Sequence, residues 1–276
     1  MDNTKNVSII FCYARSGGTF LNKFLNGFDE LVILSEAHPL HNKKGGIHSV
    51  KGQMKKWYGV DIVSEEYIDQ IHEVVEWCNV NGKHLIIRDW SYIDFAKSYL
   101  NKNQPIGTST NLKLLESNGF IVNKIAYVRN GIDICLSQGQ SPKQFAYDYL
   151  NFVHYIVNLG IPVFKYENFC ENFHELSLSI LEALNLEDLE VHAYSFNSDK
   201  VIGDINLSRG NETNEIKILP RKFAFSFQIK KINNDEYLKK ANDLLGYTTN
   251  YYDKKQETLN KFLKFKIKQL YRRIIK

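Results

Sequence analysis

The chain has 276 residues, of which 43% are hydrophobic and 24% are charged. This balance is typical of a folded globular protein and excludes a disordered or fibrous chain. No apolar run approaches the roughly 18 residues of a membrane span, and the first residues lack the pattern of a signal peptide. The cysteines stand far apart in the sequence, so we expect buried thiols in a reducing, cytoplasmic compartment.

The first predicted element is an apolar strand over 7–13, followed by a turn and a helix over 19–27. Such a turn directs backbone N–H groups and the positive end of the helix at one point, which suits an anion. Gly17 and Gly18 let the backbone approach that anion closely, and Arg15 adds a permanent positive charge. The G-x-x-x-x-G-K-[ST] pattern of nucleoside triphosphatases is absent, because no lysine follows Gly18. We therefore predict a site for a phosphate- or sulfate-bearing molecule, with an ordinary glycine bend as the alternative.

The middle of the chain continues the alternation of strands and helices. A short strand is predicted over 31–34, a helix over 64–78 with its N-cap at Ser64, and an apolar strand over 84–88. Residues 38–55 are rich in glycine and polar side chains and are predicted to form a long loop at the site.

The fourth strand is predicted over 122–128, and it runs directly into Arg129. A capping box with proline at the first helical position predicts a helix from about 142 to 158. A fifth strand is predicted over 163–166. Strands alternating with helices predict an α/β protein with three layers, α/β/α, around a central, mostly parallel sheet. Ligands of such sheets bind at the carboxyl ends of the strands, where we expect Arg15, Glu36, Arg88 and Arg129.

Two of these segments resemble the donor-binding motifs of sulfotransferases that use 3′-phosphoadenosine 5′-phosphosulfate (PAPS). The segment from Arg15 to Leu21, R-S-G-G-T-F-L, is similar to the loop that wraps the sulfate-carrying end of the donor. Arg129 and Ser137 keep the spacing of the family's 3′-phosphate site, although Asn130-Gly131 replaces its usual Asp-Pro. The resemblance implies a P-loop-like phosphosulfate-binding turn, PAPS as the co-substrate, and no metal.

Two weaker matches follow in the family's order, and the four together span residues 7 to about 222. Tyr166-Glu167-Asn168 resembles a strand end of the family, and Ser208-Arg209-Gly210 resembles its late loop over the 3′-phosphate. Arg15 is also the cation that we expect on the bridging phosphate oxygen. The donor-binding residues that the resemblance implies are Arg15, Ser16, Gly17, Gly18, Thr19, Phe20, Arg129, Ser137, Arg209 and Gly210.

Sulfuryl transfer needs a base for the proton of the acceptor, and three residues near strand ends are candidates. Glu36 follows the second strand, where several bacterial and Golgi-type sulfotransferases carry a catalytic glutamate. Asp89 ends the third strand, in the region of the Lys-Thr-His segment of cytosolic sulfotransferases, whose histidine is absent here. His38 is the third candidate, since imidazole titrates near neutral pH. Three aromatic residues beyond the third strand line the acceptor pocket or belong to the core: Trp90, Tyr92 and Phe95.

The positive charge of the chain is concentrated in residues 251–276. This tail has nine basic and two acidic side chains, a net charge of +7, so the rest of the chain sums to −3 of the total of +4. Its apolar residues recur at helical spacing, which predicts a basic amphipathic helix after a sulfotransferase domain over 1–250. Two interpretations stay open: the helix lies peripherally on an anionic inner membrane face, or it packs on the enzyme body.

We therefore expect a PAPS-dependent sulfotransferase that transfers a sulfuryl group in line to a hydroxyl or amine. The expected acceptor is a small molecule, a glycan or a lipid-linked head group, and no nucleic-acid partner is expected. One alternative is a P-loop-type nucleotide kinase or hydrolase, which the missing lysine disfavours. The other is a catalytically silent nucleotide-binding protein.

Overall fold

A computed structural model describes residues 5–96, 107–138, 142–191 and 226–247, with the single positions 216, 218 and 224. Five strands form the sheet in the described residues: β1 (Asn6–Cys12), β2 (Leu31–Ala37), β3 (His84–Asp89), β4 (Ile121–Val128) and β5 (Val163–Lys165). Their order is β2-β3-β1-β4-β5, and every pairing is parallel. The α/β class with a parallel sheet is confirmed.

The helices connect successive strands, as parallel pairing requires. The α-helices of the described residues are α1 (Gly18–Leu25), α2 (Pro39–Asn42), α3 (Val50–Gln53), α4 (Tyr67–Val80), α5 (Ser91–Phe95), α6 (Thr110–Ser117), α7 (Gly131–Gln138), α8 (Pro142–Asn158), α9 (Tyr166–Glu171), α10 (Phe173–Ala183), α11 (Ser226–Asn233) and α12 (Glu236–Leu244). A 3₁₀ turn (Gly46–His48) and a π turn (Met54–Tyr58) flank α3.

The central strand β1 is buried on both faces. Val7, Ile9 and Phe11 pack into one hydrophobic cluster, whereas Ile10 and Cys12 pack into the other, as the two-residue period of a strand requires. Side chains of α4, α6, α8 and α12 fill the first cluster, and those of α1, α9 and α10 fill the second. The three predicted layers are therefore present.

Two local predictions are wrong. The helix predicted to begin at Ser64 begins at Tyr67, because the carboxylate of Glu73 accepts the N–H of Ser64 at 3.0 Å and holds it outside the helix. Residues 38–55 do not form a long loop, since short helices occupy most of this range. The side chains of His38 and Ser49 cap two of them by accepting backbone N–H groups at 3.1 and 3.0 Å.

Several predictions concern residues beyond those just described. Arg209, Gly210 and the basic helix over 251–276 lie outside the described residues.

Among the described helices, none has both the length and the hydropathy needed to cross a bilayer. The four cysteines, Cys12, Cys78, Cys135 and Cys170, are free and buried, as predicted.

Candidate active site

The turn after β1 has the backbone geometry of an anion-binding loop. Arg15 and Gly17 both adopt left-handed conformations, with φ of 75° and 92°. Gly17 is the N-cap of α1, and no side chain caps this helix end. Because the first N–H groups of a helix have no intrahelical acceptor, they are available to an anion. A left-handed non-glycine residue such as Arg15 is strained, and such strain concentrates at functional sites.

Two side chains of this segment, those of Ser16 and Phe20, point toward the interior. The hydroxyl of Ser16 is buried and has no hydrogen-bond partner in the described part of the chain. Phe20 packs against the rings of Tyr166 and Phe169, with centroid distances of 6.0 and 5.6 Å. The rings of Tyr166 and Phe169 therefore support the loop from below. The buried hydroxyl of Ser16 could form a hydrogen bond with a ligand.

The turn and the Arg129 segment lie side by side. Arg15 Nε donates to Ser137 Oγ at 2.9 Å, which joins the turn to α7. Tyr166 lies between the two segments: its Cδ2 is 2.6 Å from where a Cβ on Gly17 would be, and the Arg129 guanidinium carbon is 4.7 Å from its ring centre. The two predicted anion-binding segments thus meet above the carboxyl ends of β1 and β4.

The backbone after Arg129 is held by two side chains distant in sequence. Asn130 N–H donates to Glu167 Oε1 at 3.1 Å, and the second oxygen of this carboxylate accepts the hydroxyl of Tyr247 at 2.7 Å. Gly131 N–H donates to Asn242 Oδ1 at 2.9 Å. A proline at 131 would lack this N–H and could not form the hydrogen bond. Nothing in the local sequence pattern predicted these partners.

Glu36 lies in a bulge of β2. Ser35 pairs with Arg88 and Ala37 pairs with Asp89, so Glu36 has no partner on β3. Its φ of 50° is left-handed, and bulges of this kind turn a side chain in a new direction beside active sites. The side chain is 28% exposed, and Oε1 lies 3.6 Å from Arg88 Nη2. Glu36 therefore combines access to solvent with a fixed position at the sheet edge.

Asp89 is buried beneath the same edge and is 1% exposed. Its two carboxylate oxygens accept Ser91 Oγ at 2.7 Å and Asn111 Nδ2 at 2.5 Å. Burial raises the pKa of Asp89 to about 6, and the neighbouring carboxylate of Asp94 adds to the increase. These contacts leave Asp89 little access to an acceptor, although it follows the predicted strand.

His38 is also buried, and both of its ring nitrogens have partners. Nδ1 accepts the N–H of Leu40 at 3.1 Å, so the ring proton is on Nε2, which donates to Asp94 Oδ1 at 3.2 Å. Asp94 in turn accepts the backbone N–H of Thr110 at 2.8 Å. Of the three candidates, Glu36 is therefore the most accessible to a ligand.

Arg88 lies at this edge, as expected from its place at the end of the third predicted strand, although no role was predicted for it. It is 6% exposed, Nη2 donates to the hydroxyl of Ser35, and Nε has no partner among the described residues. A side chain on Gly18 would collide with its guanidinium, so Arg88 lies directly against the turn. Its position as the basic residue near the end of an apolar strand, like that of Arg129, was the available signal.

Of the aromatic residues beyond β3, Tyr92 and Phe95 belong to the core, whereas Trp90 is only partly buried. No group of three or more histidine, cysteine, aspartate or glutamate side chains spaced for a metal occurs in the ranges that the structure describes. This edge of the sheet therefore presents three arginines, an open helix end and the carboxylate of Glu36.

Comparison with known proteins shows a likeness in structure. No known family profile matches the sequence, and no curated protein matches it. Among solved structures, the chain is similar to the "Sulfotransferase Domain from the Synechococcus PCC 7002 Olefin Synthase", with a TM-score of 0.54 and 14% identity. The match covers 90% of this chain and 97% of that one. At this identity the likeness concerns the fold, and the chain therefore has the fold of a sulfotransferase domain.

Proposed function

We propose that the protein is a sulfotransferase that transfers the sulfuryl group of PAPS to a hydroxyl acceptor. The observation that carries the proposal is the contact between Arg15 and Ser137, with 2.9 Å between Nε and Oγ. It brings an uncapped helix end beside the Arg129 segment. PAPS has two anionic groups, the 5′-phosphosulfate and the 3′-phosphate, and so requires two neighbouring anion sites.

In the proposed donor complex, the N–H groups of Gly17, Gly18 and Thr19 surround the phosphosulfate. Arg129 binds the 3′-phosphate, because a guanidinium can donate two parallel hydrogen bonds to it. Ser137 adds a hydroxyl on the same side. The ring of Tyr166, 4.7 Å from the Arg129 guanidinium carbon, limits the directions in which that side chain can turn.

The proposed reaction is an in-line displacement. The acceptor oxygen attacks sulfur while the bond from sulfur to the bridging phosphate oxygen breaks, and 3′,5′-ADP leaves. Glu36 takes the proton of the acceptor hydroxyl. Arg15 and the N-terminus of α1 stabilise the negative charge that develops on the leaving phosphate oxygen. As in phosphoryl transfer, positioning and electrostatics supply most of the catalysis.

Calorimetry without metal tests the donor assignment. We expect 3′,5′-ADP to bind more tightly than 5′-AMP and than ATP with Mg²⁺. Arg129→Ala should weaken 3′,5′-ADP binding about 10- to 100-fold, because a charge-assisted hydrogen bond is removed, and should leave 5′-AMP binding unchanged. Lys240→Ala, on the exposed side of α12, is the control.

Two other outcomes would contradict the proposal. Preferential binding of ATP with Mg²⁺ would indicate a nucleotide kinase or hydrolase. Binding of PAPS without release of 3′,5′-ADP, across a panel of hydroxyl and amine acceptors, would indicate the catalytically silent alternative.

A further inference from the structure

The segment over 38–60, here called the basic cap, differs in charge from the rest of the enzyme body. It contains five lysines and no aspartate or glutamate, whereas residues 1–250 as a whole sum to −3. The remainder of that body therefore sums to −8. The basic cap is therefore a local region of positive charge on this acidic body, where an anion would be attracted.

The basic cap lies directly beside Glu36. Gln53 is fully buried and exchanges two hydrogen bonds with the backbone of Ser35, at 2.7 and 2.8 Å. The ring of His41 donates from Nδ1 to the carbonyl oxygen of Glu36 at 3.2 Å. Both contacts fix the basic cap to the end of β2, on the side of the proposed base.

Part of the charge of the basic cap is not neutralised. Lys51 and Lys55 form ion pairs with Glu65 and Asp61, each at 2.6 Å. The other three lysines are exposed and form no ion pair with a residue that the structure describes: Lys43, Lys44 and Lys56. The basic cap therefore presents positive charge to solvent near the reacting carboxylate.

An aromatic surface accompanies this charge. The ring of His41 lies between those of His48 and Trp90, with centroid distances of 4.2 and 3.9 Å. Burial lowers the pKa of His41 to about 4, so this ring is neutral at pH 7. Lys44 Nζ is 5.9 Å from the Trp90 ring centre. A partly exposed indole with a lysine beside it thus stands near Glu36.

We propose that the acceptor is an acidic carbohydrate, an assignment that rests on the proposed function. One sugar ring packs on Trp90, its carboxylate pairs with Lys44, and a hydroxyl is presented to Glu36. A neutral acceptor would use the apolar surface but leave the exposed lysines without a counter-charge. Complementary charge of this kind mainly determines which acceptors are attracted and which are rejected.

A matched pair of oligosaccharides tests the assignment. The first alternates glucuronate and N-acetylglucosamine, and the second is its carboxyl-reduced form, which keeps the rings and loses the charge. Binding is measured by calorimetry with saturating 3′,5′-ADP. We expect the acidic form to bind at least about tenfold more tightly at low salt, with the difference shrinking as ionic strength rises.

Variants locate the interaction. Lys44→Gln should weaken binding of the acidic form about three- to fivefold, the range of an exposed ion pair, and leave the reduced form unaffected. Lys240→Gln, outside the basic cap, should have no effect. Trp90→Phe should weaken both oligosaccharides to a similar extent. In all three variants the affinity for 3′,5′-ADP should be that of the wild type.

Three results would overturn the assignment while the proposed function stands. The first is equal binding of the two oligosaccharides, and the second is an equal effect of Lys44→Gln and Lys240→Gln on binding of the acidic form. The third is a loss of 3′,5′-ADP affinity in Lys44→Gln, which would place Lys44 in the donor-binding site. If wild-type protein does not bind 3′,5′-ADP, the proposed function itself fails.

Discussion

Gly17→Ala tests the packing that joins the two anion-binding segments. At this position φ is +92°, and a Cβ would lie 2.6 Å from Cδ2 of the buried Tyr166 ring. A left-handed conformation costs a residue with a Cβ about 1–2 kcal/mol, and relieving the overlap with a packed ring adds about 1–3 kcal/mol. We therefore expect urea unfolding to show a loss of about 2–5 kcal/mol in the free energy of unfolding.

Gly119→Ala is the matched control. Its φ is +78°, but no atom lies within 4 Å of the added Cβ, so only the conformational part, about 1–2 kcal/mol, should be lost. Because the Arg129 guanidinium carbon lies 4.7 Å from the Tyr166 ring centre, displacing that ring should also weaken 3′,5′-ADP binding in Gly17→Ala alone. Equal losses of stability in the two variants, with unchanged 3′,5′-ADP affinity, would refute the reasoning.

Four further predictions follow from the same geometry. Glu36→Gln should lower turnover about 10²- to 10⁴-fold with donor affinity intact, and near-normal turnover would assign the base to another residue. Tyr247→Phe removes the hydroxyl that donates to Glu167, and a hydrogen bond to a charged group contributes about 1.5–3 kcal/mol. This variant should weaken the binding of 3′,5′-ADP more than that of 5′-AMP, and equal weakening of the two would contradict the prediction. Burial raises the pKa of Asp89 from 3.8 to about 6, so the folded state binds more protons than the unfolded state in this window and stability falls as pH rises through it. The fall, on the order of 3 kcal/mol, should be lost in Asp89→Asn, and an unchanged pH profile of urea unfolding would show that this carboxyl is not its source. Deletion of 257–276 should abolish salt-sensitive co-sedimentation with anionic liposomes, whereas equal sedimentation or unfolding of the shortened protein would favour a packed helix.

The strands and the turns after β1 and β4 could be predicted because they depend on neighbours in sequence. β1 and β4 are apolar runs that end in an arginine-containing turn. Compared with the predicted strands, β1 begins and ends one residue earlier, and β4 begins one residue earlier. The glycine pair after β1 similarly indicates a close backbone approach without knowledge of the rest of the fold.

Other features depend on contacts between distant segments. The bulge at Glu36 exists only because β2 pairs with β3 in a register that omits one residue. The hydrogen bond from Tyr247 to Glu167 joins residues 80 positions apart. The surroundings of Asp89 and His38 likewise depend on α6: Asn111 donates to Asp89 at the end of β3, and Thr110 donates to Asp94, the partner of His38. Sequence patterns contain no signal for such pairings, so the order Glu36, Asp89, His38 could be predicted from the sequence, but the different surroundings of these three side chains could not.

Two hydrogen bonds, between Gly131 and Asn242 and between Tyr247 and Glu167, determine where the chain can be divided. Asn242 and Tyr247 both support the backbone after Arg129, so the residues from α12 to 247 help to hold the segment that follows β4. A fusion partner or affinity tag attached after residue 250 leaves both hydrogen bonds in place. A boundary before Glu236 removes both of them, and the shortened protein should keep its parallel sheet yet lose its preference for a 3′-phosphate.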